Sequence, residues 1–128
     1  MKSIPQISDA VFEVMKIIWK YEPISTPDIA EKLSHENAWS PKTVHTLLLR
    51  LEKKGAVAHE KKGRTFIYHA LLKEEAYTAR QTHAFLNKFY QGTFHHMVSN
   101  LMEQNFFTSE DIEELRMILE QKREGQEE

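Results

Sequence analysis

The sequence predicts a mainly helical chain with one small β-hairpin, and three observations carry that expectation. Apolar residues recur at helical spacing through most of the 128 residues. Prolines and glycines fall where those patterned segments begin and end. One stretch alone, from Ala56 to Tyr68, alternates and turns β-rich around the basic, glycine-containing tip Lys61-Lys62-Gly63-Arg64.

The first helix is expected from just after Ser8 to about Lys20. Ala10, Val14, Ile17, Ile18 and Tyr21 form its apolar stripe, and Asp9, Glu13, Lys16 and Lys20 the opposite one. Phe12, Met15 and Trp19 widen the apolar side, so this helix should be largely enclosed. Pro23 stops it, and Ile24-Ser25 is a short extended piece. Thr26-Pro27 and Ser40-Pro41 each read as a capping hydroxyl followed by proline at the first helical position. The second helix then spans Thr26 to about Ser34, with Ile29, Ala30 and Leu33 inward, and a polar loop follows to Ala38.

The third helix lies in WSPKTVHTLLLRLEKKG, residues 39–55. Val44, Leu47, Leu48 and Leu51 recur at i, i+3, i+4, i+7 and face a core. Lys42, Thr46, Arg50 and Lys53 project from the other side. Gly55 fits a left-handed C-terminal cap, with Lys53 and Lys54 near the negative helix end. The hairpin follows.

From Glu74 the composition shifts, dividing the chain into residues 1–72 and 73–128. Glu74–Gln91 is one long helical pattern that Gly92 ends. Thr93 is placed to cap a further helix carrying Phe94, Met97, Val98, Leu101 and Met102. Thr108-Ser109-Glu110-Asp111 has the form of a capping box with aspartate in place of glutamate, and Ile112, Leu115 and Leu119 continue at heptad-like spacing. Lys122–Glu128 reads as a charged, frayed tail.

The overall charge of −2 conceals an asymmetry. Residues 1–72 hold 11 Lys+Arg against 8 Asp+Glu, and residues 73–128 hold 6 against 11. Between Trp39 and Arg64 there are seven basic residues and two acidic ones, Glu52 and Glu60. A local basic patch of this kind suffices for phosphate contact. The absence of cysteine excludes disulfides, thiolate metal sites and cysteine nucleophiles, and fits a reducing compartment. No apolar run reaches the roughly 20 residues that span a bilayer. The start, Met1 to Pro5, lacks the apolar region of a signal peptide. A cytoplasmic protein is expected. The seven histidines are scattered, and a helix directs the adjacent His95 and His96 about 100° apart. No H-E-x-x-H, phosphate-cradling glycine loop or G-x-S-x-G occurs, so neither catalysis, metal nor cofactor is expected.

Three short helices followed by a hairpin with a basic tip is the order of a winged helix-turn-helix, whose third helix enters the major groove while the wing reaches phosphate. Double-stranded DNA is the expected partner. Ser40, Lys42, Thr43, His45, Thr46 and Arg50 on the third helix, with Lys61, Lys62 and Arg64 on the wing, are the candidate contacts. Leu49 lies on the same exposed side. The helical segment carries too many apolar positions for lone helices in water. Phe85, Phe89, Tyr90, Phe94, Met97, Val98, Leu101, Ile112, Leu115 and Leu119 are therefore candidates for a homodimer interface, which would set two reading heads on a two-fold operator. An intramolecular bundle stays open. So does a ligand-controlled regulator with Phe85, Phe89 and Tyr90 lining a pocket, or a winged helix that binds protein rather than DNA.

ISDAVFEVMKIIW (7–19), the 39–55 stretch, FLNKFYQGTF (85–94) and SEDIEEL (109–115) resemble the penicillinase and methicillin-resistance repressors, the BlaI/MecI family. The resemblance covers essentially the whole chain. It implies a homodimeric winged-helix repressor of palindromic operators with TACA/TGTA half-sites, upstream of β-lactamase or regulatory genes. It also implies inactivation by cleavage under a membrane sensor protease. In the family the cut falls at an Asn-Phe bond; the matching position here reads Asn100-Leu101, a departure, while Asn105-Phe106 fits the dipeptide but not the alignment. Relatives that answer to copper carry C-terminal cysteines, which this chain lacks.

Overall fold

A computed structural model describes residues 4–127; Met1–Ser3 and Glu128, included in the expectations for the start and the tail, lie outside the described residues. The elements run α1 (Asp9–Tyr21), β1 (Ile24–Ser25), α2 (Thr26–Ser34), α3 (Pro41–Lys53), β2 (Val57–Lys62), β3 (Thr65–Ala70), α4 (Glu74–Tyr90), α5 (Phe94–Glu103) and α6 (Ser109–Glu127). They divide into two compact units, Met1–Gln81 and Thr82–Glu128. The division falls inside α4, beyond the compositional shift at residue 73.

In the first unit, the Ser8 hydroxyl caps α1 by accepting from the Val11 amide at 3.4 Å, and Pro23 follows its end. The face it buries is Val11, Val14, Met15 and Ile18. That stripe is rotated from the expected one: Ala10 and Ile17 are half-buried, and Tyr21 is exposed, with the Lys32 ammonium 3.9 Å from its ring centroid. Phe12 and Trp19 occupy a second flank, where both rings meet Tyr77 of α4 at 5.8 and 5.9 Å. The Trp19 indole donates to the Leu72 carbonyl at 2.8 Å, so its polar edge is satisfied in the half-buried cluster.

The capping residue of α2 is Ser25, not Thr26: its hydroxyl accepts from the Asp28 amide at 3.2 Å, and Pro27 comes second in the helix. Thr26 is the first residue of the helix itself. Ser40 does cap α3, accepting from the Thr43 amide at 3.2 Å. At the other end of α3 the Gly55 amide donates to Glu52 and the Ala56 amide to Leu51, a Schellman closure that needs the φ of +77° held by Gly55. Leu51 and Ala56, the residues it brings together, are both fully buried.

The sheet has three strands rather than two, in the order β1-β3-β2 and antiparallel throughout. Ile24 pairs with Tyr68, so the short extended piece becomes an edge strand. β2 and β3 pair from Val57↔Ala70 to Lys62↔Thr65. Lys61 and Lys62 are thus strand residues, and the turn is Gly63-Arg64 alone, with Gly63 at φ +65° as a two-residue hairpin requires. One core joins α1, α2, α3 and the sheet, with Leu72 and Tyr77.

The second unit holds the rest of α4 with α5 and α6. Thr108 and Asp111 form the expected capping box, each amide donating to the other's side chain at 3.0 Å. Thr93 stands at the start of α5, but its hydroxyl donates back to the Tyr90 carbonyl at 3.3 Å and caps nothing. The charged tail is not frayed: α6 continues to Glu127, as its Glu, Gln, Lys and Arg residues favour. Leu86 is buried, the only residue among those described in this unit that is.

Candidate nucleic-acid interface

The leucine stripe of α3 seats it: Val44, Leu47, Leu48 and Leu51 are buried as the spacing predicts. Ser40, Lys42, Thr43, His45, Thr46 and Arg50 are consequently all exposed, and Leu49 is half-open to solvent beside them. Ser40 and Thr43 hydroxyls lie 3.1 Å apart, and the Thr46 hydroxyl donates to the Lys42 carbonyl at 3.1 Å. Each threonine oxygen keeps acceptor capacity for an outside donor.

Lys61, Lys62 and Arg64 are exposed on the wing. Among the described residues Lys42, Arg50, Lys53, Lys61, Lys62 and Arg64 form no ion pair. Their charge is therefore uncompensated within the unit. The first turns of α3 and α5 contain no acid, whereas those of α1, α2, α4 and α6 contain Asp9, Asp28, Glu74 with Glu75, and Glu110 with Asp111. Carboxylates occupy the positive dipole ends of those four helices, and none occupies the ends of α3 and α5.

An open cleft of about 560 Å³ lies between α2, α3 and the wing, lined by Thr26, Pro27, Ala30, Pro41, His45, Arg64, Thr65 and Phe66. It brings His45 of α3 and Arg64 of the wing to one concavity. Thr26, Pro27 and Ala30 of α2 were not among the sequence candidates. Their signal lies in tertiary packing, since nothing in α2 alone marks them as polar or basic contacts. Behind the site, burial and the nearby Glu52 carboxylate push the Tyr68 phenol above its ordinary pKa, with the Thr26 hydrogen bond opposing.

The candidate dimer residues stand on the second unit. Phe85, Phe89, Phe94, Ile112 and Leu119 are exposed; Tyr90, Met97, Val98, Leu101 and Leu115 are half-buried. Phe106, Met117 and Ile118, which are not among those candidates, are exposed as well. Phe85, Phe89 and Tyr90 line an open hollow of about 430 Å³ with His96 and Asn100. Asn100 and Leu101 lie inside α5, where the Asn100 side-chain oxygen accepts from the Tyr90 hydroxyl at 3.4 Å. Asn105, at φ +56°, and Phe106 form the exposed link between α5 and α6. Among the described residues no group of metal-ligating side chains is assembled, and no helix is long and apolar enough to cross a membrane.

Residues 7–121 match the family model described as penicillinase repressor. The chain is similar to the penicillinase repressor of Bacillus licheniformis, 50% identical over 121 residues covering 94% of each chain. It is 39% identical to the methicillin resistance regulatory protein MecI of Mammaliicoccus sciuri, over 91% of this chain and 95% of that one. Among solved structures it is similar to the Bacillus licheniformis BlaI monomeric form in complex with the blaP half-operator. That likeness has a TM-score of 0.51 at 55% identity, and covers 59% of this chain and 92% of that chain.

Proposed function

The chain belongs to the penicillinase repressor family, and from that premise we propose that it works as a cytoplasmic, homodimeric repressor of β-lactamase- or resistance-type genes. It is a DNA-binding repressor with a winged helix, not an enzyme. Two copies joined through the helical unit, residues 73–128, hold their winged helices, residues 1–72, on a palindromic operator with TACA/TGTA half-sites. The observation that carries this reading is the ion-pair-free basic face of α3, set beside the wing with one cleft between them. Lys42 and Arg50 with Lys61, Lys62 and Arg64 grip phosphate, Ser40 supports the helix start, and Thr43, His45 and Thr46 meet base edges.

The test is binding of a palindromic TACA/TGTA duplex and of a scrambled duplex across a salt series. Lys62→Ala or Arg64→Ala weakens both duplexes alike and lowers the salt slope by about 1. Thr43→Ala or Thr46→Ala costs about 1–3 kcal/mol on the palindrome and changes the preference between duplexes. Helix substitutions that leave both affinity and preference untouched would overturn the assignment.

Switching is by proteolysis at Asn100–Leu101, under a membrane sensor pathway. A cut there divides the Phe94–Met102 stripe into pieces too short to hold a helix. The bond is within α5, so that helix must unwind locally before a protease can engage it. Mass spectrometry of the chain from induced cells should give a fragment ending at Asn100. A fragment ending at Asn105, in the exposed link, or an intact chain during derepression rejects this bond. The second reading, control by a small ligand, rests on the aromatic hollow lined by Phe85, Phe89 and Tyr90; release of operator by intact protein on adding ligand favours it.

A further inference from the structure

Glu52 is one of two acids in the basic stretch from Trp39 to Arg64, and it sits on α3 between Arg50 and Lys53. Its carboxylate is engaged by Nδ1 of His59 on β2. The His59 imidazole stacks on Phe66 of β3, with ring centroids 4.4 Å apart and planes at 29°, and tilts against Tyr68 at 5.4 Å. Phe66 pairs with Lys61 in the sheet and lines the cleft that holds His45 and Arg64. These contacts form a continuous path from α3 through β2 to the base of the wing tip. Among the described residues the Glu52–His59 contact is the one side-chain hydrogen bond between α3 and the hairpin.

A half-exposed pair of this kind contributes little to stability by itself. Its geometric effect is larger, because the hairpin tip beyond it has no other polar tie to α3. We propose that Glu52, His59 and Phe66 are positioning residues that fix the angle of the wing against α3, so that the wing's phosphate contacts and the helix's base contacts engage one duplex together. The same contact draws the Glu52 carboxylate to the hairpin, away from phosphates it would repel. This inference rests on the DNA-binding reading above.

The experiment uses the full chain, the palindromic TACA/TGTA duplex and a scrambled duplex, with a thermal melt of every variant. His59→Ala is expected to weaken palindrome binding on the order of tenfold and to lower the salt slope. His59→Asn, whose amide nitrogen replaces Nδ1 toward Glu52, recovers most of that loss. Combined with Lys62→Ala, His59→Ala loses less than the sum of the two single effects, since a misplaced wing has already forfeited its lysine contact. If His59→Ala melts below the assay temperature, Phe66→Leu, which keeps the apolar bulk and removes the stack, is expected to show the same loss in slope. Unchanged affinity and salt slope in the folded variants, or full additivity with Lys62→Ala, overturns the inference while leaving the DNA-binding reading standing. An unsubstituted chain that binds neither duplex overturns both.

Discussion

The two compact units use similar helices and bury them differently. In residues 4–81 the apolar stripes of α1, α2 and α3 converge on the sheet, and Val14, Ile18, Ile29, Leu48 and Val44 have no exposed surface. In residues 82–127 the stripe of α5 is equally regular, yet Phe94 on it is 49% exposed, and Ile118 on the less regular α6 is 62% exposed. Amphipathic periodicity therefore says that a face will be buried, not what buries it. The first unit contains its own partner surface, because a sheet and three helices enclose a shared volume. The second presents apolar area beyond what lone helices keep in water, which supports its pairing with another copy.

Cutting the chain between the units gives the largest expected effect. A fragment ending at Gln81 should fold, since it retains Leu72 and Tyr77 in the core. It should bind the palindromic duplex about 10²–10⁴-fold more weakly than the full chain, as the two heads lose their effective concentration. Titration of both proteins against one labelled duplex checks this, and equal affinities would remove the case for a dimer. A fragment ending at Ala70 lacks the Tyr77 ring and should melt at a lower temperature.

Single substitutions sharpen the contrast. Leu48→Ala should cost about 2–5 kcal/mol in chemical denaturation, independent of protein concentration. Ile118→Ala should leave the first unit's melting unchanged and instead shift the monomer–dimer balance, read by sedimentation at several concentrations. A concentration-independent loss at Ile118 would mean that α6 packs within its own chain.

Caps allow a finer comparison. Ser40→Ala should cost roughly 1 kcal/mol, since the Thr43 amide loses its acceptor. At α6 the capping carboxylate titrates. The Thr108 amide and hydroxyl hold the Asp111 carboxyl below its ordinary pKa. A depressed carboxylate stabilises the fold above its unfolded pKa of about 3.9, and that contribution disappears as pH falls further through the folded value. Helix content measured by circular dichroism should fall less steeply as pH drops below about 4 in Asp111→Asn than in the unsubstituted chain. This is the smallest of the expected effects, because the group is fully exposed.

What the sequence determined by itself was local. The capping box at Thr108 and Asp111, the serine cap of α3, the glycine closure after Lys53 and the Val44–Leu51 stripe each depend on residues within one or two helical turns. Their physics is complete inside a short window. The exposure of the polar face of α3 followed from that stripe, because the residues between its apolar positions turn to solvent.

The tertiary structure decided everything that needed distant partners. Ser25 pairs with Ile67 in the edge strand and also caps α2 through its hydroxyl. Tyr77 draws Phe12 and Trp19 to one side of α1, and with them the start of α4 into the first unit. Trp19 reaches a carbonyl 53 residues away, and Ile24 pairs with Tyr68. The link from Glu52 to His59 spans seven residues but crosses from a helix to a strand, so no single period relates them. Such contacts depend on where whole elements pack. A sequence pattern records which faces are apolar; the choice of partner for each face is made only when chain closure brings the elements together.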